Sequence, residues 1–84
     1  MHRSTRRFWQ AYDNLPSDIK ITADKNFDLL KRNHFHPSLQ FKRVGARFWL
    51  ARVGLSHRAL AIEDNGDYIW IWIGSHDDYD RLIK

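Results

Sequence analysis

The chain has 84 residues, no cysteine and a formal net charge of +4, which leaves no room for a second folded domain, a disulfide framework or a thiolate metal site. Residues 1–84 are therefore expected to form one domain in the reducing cytoplasm, with four Trp, three Tyr and five Phe supplying a core despite the small size. The stretch after Met1 has no apolar run of the signal-peptide kind, and nothing approaches the roughly 18 apolar residues of a membrane span, so neither is expected.

Thr5 or Ser4 can cap a first helix, in which Phe8, Tyr12 and Leu15 fall at i, i+4 and i+7. Pro16 interrupts it. Ile19, Ala23, Phe27 and Leu30 then repeat with helical spacing, so residues 17–32 are expected to form a second amphipathic helix, with Asp18 favourably near its start. The two helices form a hairpin about Leu15-Pro16-Ser17.

From Asn33 to Ser38 neither period holds, and Pro37 turns His36 away from helical dihedrals. Strands are expected at Leu39–Phe41, Phe48–Val53, His57–Glu63 and Tyr68–Ile73, with Asn65-Gly66 closing a hairpin between the last two. Strict alternation along Tyr68–Ile73 puts the isoleucines on one face and Tyr68, Trp70 and Trp72 on the other, which suits a strand flanked on both sides. Ser75, with Asp78 three residues on, reads as a capping box for a short last helix whose Tyr79, Leu82 and Ile83 share a face. The expected fold class is thus α+β: an N-terminal helical hairpin, an antiparallel sheet of four strands and a short C-terminal helix.

Charge is distributed unevenly along this plan. Between Lys31 and Arg58 lie seven basic residues (Lys31, Arg32, Lys42, Arg43, Arg47, Arg52 and Arg58) and no acid, whereas six acids and no base lie between Glu63 and Asp80. If the basic block shares a face, that face attracts anions. The chemical repertoire is short: no nucleophilic cysteine, no glycine-rich phosphate loop and no supported Ser-His-Asp spacing. His34 and His36 lack the partners of any recognised zinc spacing and read as loop residues, so no metal is expected. His76, at the head of the last helix, can exchange protons near neutral pH, and Arg58 on the adjacent strand could bring its fork of donors to the same end of the sheet.

Five ordered segments carry a resemblance over nearly the whole chain: Phe8-Trp9-x-x-Tyr12-x-x-Leu15-Pro16, Lys25-Asn26-Phe27-x-Leu29-Leu30-Lys31, and His36-Pro37-Ser38-Leu39-x-Phe41-Lys42-x-Val44-Gly45. The fourth is Trp49-x-Ala51-Arg52-Val53-Gly54-Leu55-Ser56-x-Arg58-Ala59-Leu60 and the fifth Trp72-Ile73-Gly74-Ser75-His76-x-x-Tyr79. In these the sequence resembles the RelE/ParE superfamily of bacterial type II toxins, and especially its ParE-like group. The resemblance implies a helical hairpin on a twisted antiparallel sheet, often with a fifth, N-terminal edge strand, and a concave basic surface opposite the helices. It implies a toxin held inactive by a cognate antitoxin. RelE-like members cleave messenger RNA on the ribosome without a metal or cofactor, and ParE-like members inhibit DNA gyrase.

Carried over by position, the resemblance makes Arg58 the phosphate-contacting arginine and His76 the C-terminal histidine of several RNase members, the two expected catalytic residues. Arg52 matches a further basic position, His57 stands where a tyrosine is usual, and Lys42, Arg43 and Tyr79 complete the expected substrate-binding set. The lysine pair of RelE-like enzymes falls near Phe48 and Leu50, which transfer no protons, and Lys42 or Arg43 is the candidate replacement. Three readings follow: a ribosome-dependent endoribonuclease, a gyrase inhibitor, and an inactive homologue retained for binding an antitoxin.

Overall fold

The computed structural model describes residues 1–83. The chain runs β1 (His2–Ser4), α1 (Arg6–Asp13), α2 (Ser17–Arg32), a 3-10 turn (Pro37–Leu39), β2 (Lys42–Val44), β3 (Phe48–Val53), β4 (His57–Asp64), β5 (Asp67–Ser75) and α3 (His76–Ile83). No helix is long and apolar enough to cross a membrane. The α+β plan expected from the sequence is the observed one, and α2 and β3 keep their expected bounds.

Thr5 starts α1 as anticipated: its hydroxyl accepts from Phe8 N–H at 3.1 Å and donates to Trp70 O at 3.1 Å, so one side chain caps the helix and ties it to β5. Helix α1 lies over β5 and α2 over β3 on a single face of the sheet. Between them sits the main core, built from Phe8, Leu15, Ala23, Leu30, Leu39, Phe41 and the inward residues of β3 to β5. Trp70 is its largest fully buried member, 1% exposed, and removing so large a ring from water contributes on the order of 4–6 kcal/mol before entropy is counted.

The sheet has five strands in the order β1-β5-β4-β3-β2. It is mixed rather than purely antiparallel, because β1 pairs parallel to β5, with His2 opposite Tyr68 and Ser4 opposite Trp70. Three residues are too few for a period-two pattern, and β1 runs straight into a helix rather than a hairpin, so local sequence carries no trace of its direction. Asp67 anchors this edge, pairing with the Met1 amino group at 3.3 Å and with Arg3 at 3.6 Å.

Two further expectations are corrected. Leu39–Phe41 is not a strand: Pro37 opens a 3-10 turn in which His36 Nδ1 accepts from Ser38 N–H at 3.2 Å, and Gln40 follows with φ 44 and ψ 45. Local cap chemistry thus outweighs the apolar alternation, although Leu39 and Phe41 still reach the core. In β5, Trp72 pairs with Leu60 but Trp70 pairs with Ala61. Ile71 is the extra residue of a β-bulge, which shifts the alternation by one. Trp70 and Ile73 consequently share the helix-side core, while Ile71 and Trp72 pack with Leu50, Leu60 and Tyr79 on the opposite face.

Asn65 and Gly66, with φ 50 and 86, close the β4–β5 hairpin with the positive dihedrals that such a turn requires. Ser75 Oγ accepts from Asp78 N–H at 3.1 Å and caps α3. Tyr79 is buried on the inward side of α3, whereas Leu82 is half exposed, and the side chain of Ile83 lies outside the described residues. Gly74 has a steric role, since a Cβ there would collide with the Trp72 indole at Cζ2.

His2 lies in an aromatic cluster at the β1 edge. Its Nδ1 accepts from Trp70 Nε1–H at 3.1 Å, its ring stacks on Tyr68, and His34 meets it edge-on. Burial first, then the charges of His34 and the chain amino group, lower its pKa from 6.5 to about 4. An unfolded chain protonates His2 near 6.5, so between there and pH 4 the unfolded state binds more protons and stability falls as pH falls. The His2→Phe variant is expected to lose less stability than the wild type between pH 7 and pH 4.5, measured by urea midpoints. Gly74→Ala is expected to cost about 1–3 kcal/mol through displacement of the Trp72 indole, read from the same titrations.

Candidate functional site

Side chains alternate across a sheet, so the residues of β3 and β4 sort into two sets. Trp49, Ala51 and Val53 pair with Ala61, Ala59 and His57 on the helix-bearing face. Phe48, Leu50 and Arg52 pair with Ile62, Leu60 and Arg58 on the other. On that outer face β2 adds Lys42, opposite Leu50. At the far end β5 runs directly into α3, which swings His76 and Tyr79 over the same surface.

The result is an open hollow of about 500 Å³ lined by Gln40, Lys42, Arg43, Leu50, Arg52, Arg58, His76 and Tyr79, with Val44 and Gly45 at one margin. Leu50 and Tyr79 form an apolar floor with Leu60, and the cations stand around it. Arg52 and Arg58 are direct cross-strand partners, an arrangement of like charges that disfavours the fold by some tenths of a kcal/mol. Among the described residues, no acid pairs with Lys42, Arg43, Arg52 or Arg58. Their contacts are with carbonyls: Arg52 Nε donates to Gly54 O at 3.2 Å, Arg58 to His57 O at 2.8 Å, and Arg43 to Ala46 O at 2.6 Å. Such a concentration of unpaired guanidinium groups over a partly apolar floor is suited to a phosphate or another multivalent anion.

His76 donates its backbone N–H to Ser56 O at 2.8 Å, which ties the head of α3 to the β3–β4 turn. Its ring is half exposed, and its Nδ1 lies 3.2 Å from Asp80 Oδ2, one helical turn on. A carboxylate at Nδ1 favours the tautomer that leaves Nε2 as an acceptor. Burial pushes the Tyr79 phenol up, Asp80 adds to this, and Arg58 pulls it back, so the phenol lies within the field of both charges.

Of the residues singled out in the sequence, Arg58, His76, Arg52, Lys42, Arg43 and Tyr79 all line this hollow. Arg43 does so with its guanidinium folded back onto the β2–β3 turn. His57 does not join them. As the neighbour of Arg58 it points to the opposite side of the sheet, where it contacts Ser56 Oγ at 2.8 Å and borders a depression with Asn14, Leu15 and Pro16. Arg58 faces Arg52 and Gly74, while Glu63 accepts from Trp49 Nε1–H at 2.7 Å. Two participants went unread. Asp80 was legible, lying four residues after His76 on a helix. Gln40 was not, because its place depends on the left-handed turn that follows Leu39.

One set of described residues could hold a metal ion: His76, Asp77 and Asp80, whose ligand atoms lie within 4.8 Å of one another. It offers a single imidazole and two carboxylates at an exposed helix head, unlike the three- or four-residue nitrogen and sulfur sets of most zinc sites. His34 and His36 do not form a pair. His34 packs in the aromatic cluster with Phe35, Phe41 and Tyr68, and His36 caps the 3-10 turn.

No family model matches this sequence, and no curated protein matches it either. Solved structures do. A chain of the RelB–RelE antitoxin–toxin complex from Methanococcus jannaschii superposes with a TM-score of 0.77 at 10% identity, covering 98% of this chain and 99% of that one. The YoeB/ParE toxin from Agrobacterium tumefaciens gives 0.69 at 17% identity, covering 89% and 96%. The toxin–antitoxin complex RelBE2 from Mycobacterium tuberculosis gives 0.67 at 20% identity, covering 90% and 96%. Agreement over nearly the full length of each partner, at identities this low, is agreement in backbone: the chain has the RelE/ParE-type toxin fold.

Proposed function

We propose that this protein is the toxin of a type II toxin–antitoxin pair and acts as a ribosome-dependent endoribonuclease on messenger RNA. The observation that carries the reading is the convergence of Arg58, Arg52 and His76 in one cationic hollow, on a fold shared with RelE- and YoeB-type toxins. Cleavage of RNA by its own 2′-hydroxyl needs a proton acceptor, donors on the phosphoryl oxygens and a proton for the departing 5′-oxygen. His76 Nε2 takes the 2′-hydroxyl proton as the O2′–P bond forms. Arg58 and Arg52 hold the non-bridging oxygens as negative charge grows on them. The P–O5′ bond then breaks, and the leaving oxygen receives a proton from the Lys42 ammonium, giving a 2′,3′-cyclic phosphate and a 5′-hydroxyl.

The positions fit that division of labour. His76 follows β5 and Lys42 lies on β2, three strand spacings away, or about 14 Å between backbones. Both line the hollow, so the two groups are available to the attacking and the leaving oxygen of an in-line displacement. Leu50, on the floor beside Lys42, has no proton to give, so Lys42 takes over a task that the sequence resemblance assigned to the strand next to it.

A second reading has a specific observation in its favour: β3 carries Phe48, exposed, and Leu50, buried, where RelE-like enzymes carry lysines, which suits a gyrase inhibitor that works by occupying a protein surface rather than by transferring protons. An inactive homologue that only binds an antitoxin is the remaining alternative.

Expression of the wild-type chain without an antitoxin is expected to arrest growth and to cut messenger RNA in a translating extract. His76→Ala and Arg58→Ala are expected to lower cleavage by about 10²–10³-fold, and His57→Ala to leave it within a few fold. Growth arrest with intact transcripts and stalled supercoiling would select the gyrase reading, and harmless expression the inactive one. The like-charge pair makes an independent prediction: Arg58→Thr is expected to stabilise the free protein by up to about 1 kcal/mol at low salt, with the gain shrinking as salt is added. Urea titrations at two ionic strengths measure it.

A further inference from the structure

We propose that Gln40 reads the base next to the scissile phosphate, its amide oxygen accepting a hydrogen bond from the exocyclic amino group of adenine or cytosine; this rests on the nuclease reading above and adds a specificity-determining residue to it.

The first observation is the composition of the hollow. Its lining holds cations, a histidine, a buried tyrosine, apolar side chains and one neutral amide, that of Gln40. Lysine and arginine carry donors only, and a donor can meet a phosphate oxygen, guanine O6 or uracil O4 but not an amino group. A base presenting an amino group to this surface meets N–H against N–H at every lysine and arginine; His76 Nε2 is committed to the 2′-hydroxyl and the Tyr79 phenol is buried in the floor, so an exposed neutral acceptor is needed. The Gln40 amide supplies that acceptor. Its NH₂ group remains to donate to the ring nitrogen next to the amino group, the two-point contact that amides make with adenine.

The second observation is the backbone. Gln40 lies in the left-handed region, with φ 44 and ψ 45, where a residue with a Cβ is disfavoured and glycine is not. Its N–H donates to Pro37 O at 3.3 Å, closing the 3-10 turn. That turn buries Leu39 and Phe41 on either side of it in the main core and leaves Gln40 exposed between them at the rim of the hollow. Among the described residues its amide makes no side-chain hydrogen bond within the protein. A glycine would serve the turn better, so the side chain is carried at some conformational cost by a position that opens onto a nucleic-acid-sized site, a pattern common where strain serves function.

The test is the mapping of cleavage positions in a translating extract for the wild type, Gln40→Gly and Arg58→Ala. Glycine adopts the Gln40 dihedrals freely, so the turn survives, and the thermal midpoint of that variant is expected to equal or exceed that of the wild type. The wild type is expected to favour positions beside adenine or cytosine. In Gln40→Gly the ratio of those cuts to cuts beside uracil, the base without an amino group, is expected to fall about three- to tenfold, the size expected for the net loss of one hydrogen bond, with total cleavage reduced far less than in Arg58→Ala. Residual cleavage in Arg58→Ala is expected to keep the wild-type preference. An unchanged ratio in Gln40→Gly, or a wild type without base preference, overturns the role of Gln40 while leaving the nuclease reading in place. A wild type that cuts nothing removes both.

Discussion

The direct opposition of Arg52 and Arg58 across β3 and β4 is the constraint around which the outer face is organised. Two arginines whose backbones stand one strand spacing apart on a rigid ladder repel each other, and among the described residues no carboxylate pairs with either of them. The acids that balance the chain overall lie elsewhere. Glu63 is engaged by Trp49, and Asp67 holds the β1 edge at the other end of the hairpin. Separation of charge along β4 and β5 therefore produces a surface with a standing demand for an anion, set by main-chain register rather than by mobile side chains.

That demand explains why the second layer of the protein is built as it is. Helix α3 is only eight residues long and too short to be stable alone, yet it is held by a Ser75 cap, by Tyr79 packed on Leu50 and Leu60, and by the bond from His76 N–H to Ser56 O. Each of these ties places the His76 imidazole beside the arginines, and Asp80 then orients the ring. The β5 bulge contributes as well. By shifting the alternation after Trp70 it sends Trp72 to the outer face, where its indole covers Gly74 next to Arg58, while Trp70 continues to hold the helices.

Much of the site was legible because it depends on short-range rules. Arg52 and Arg58 flank a Gly54 turn by an equal number of positions on either side of its centre, so their opposition follows from hairpin pairing, and a histidine next to a serine cap marks a helix head. His57 was misplaced because positional matching to a family carries no direction: one residue along a strand is a reversal of face. Gln40 escaped notice because nothing in its neighbourhood signals a left-handed residue, there being no glycine or asparagine at that point.

What the sequence settled by itself is local: the span of α2 from its 3.6-residue stripe, β3 from its branched and aromatic run, the Asn65-Gly66 turn and the Ser75 cap. These rest on interactions within a few residues, which a linear reading contains. The parallel β1 edge, the bulge at Ile71, the left-handed Gln40 and the exile of His57 from the basic hollow were decided only by tertiary structure. Each depends on partners distant in the chain or on which of two faces a backbone presents, and pairing register, unlike periodicity, is a property of the folded sheet and not of any one segment.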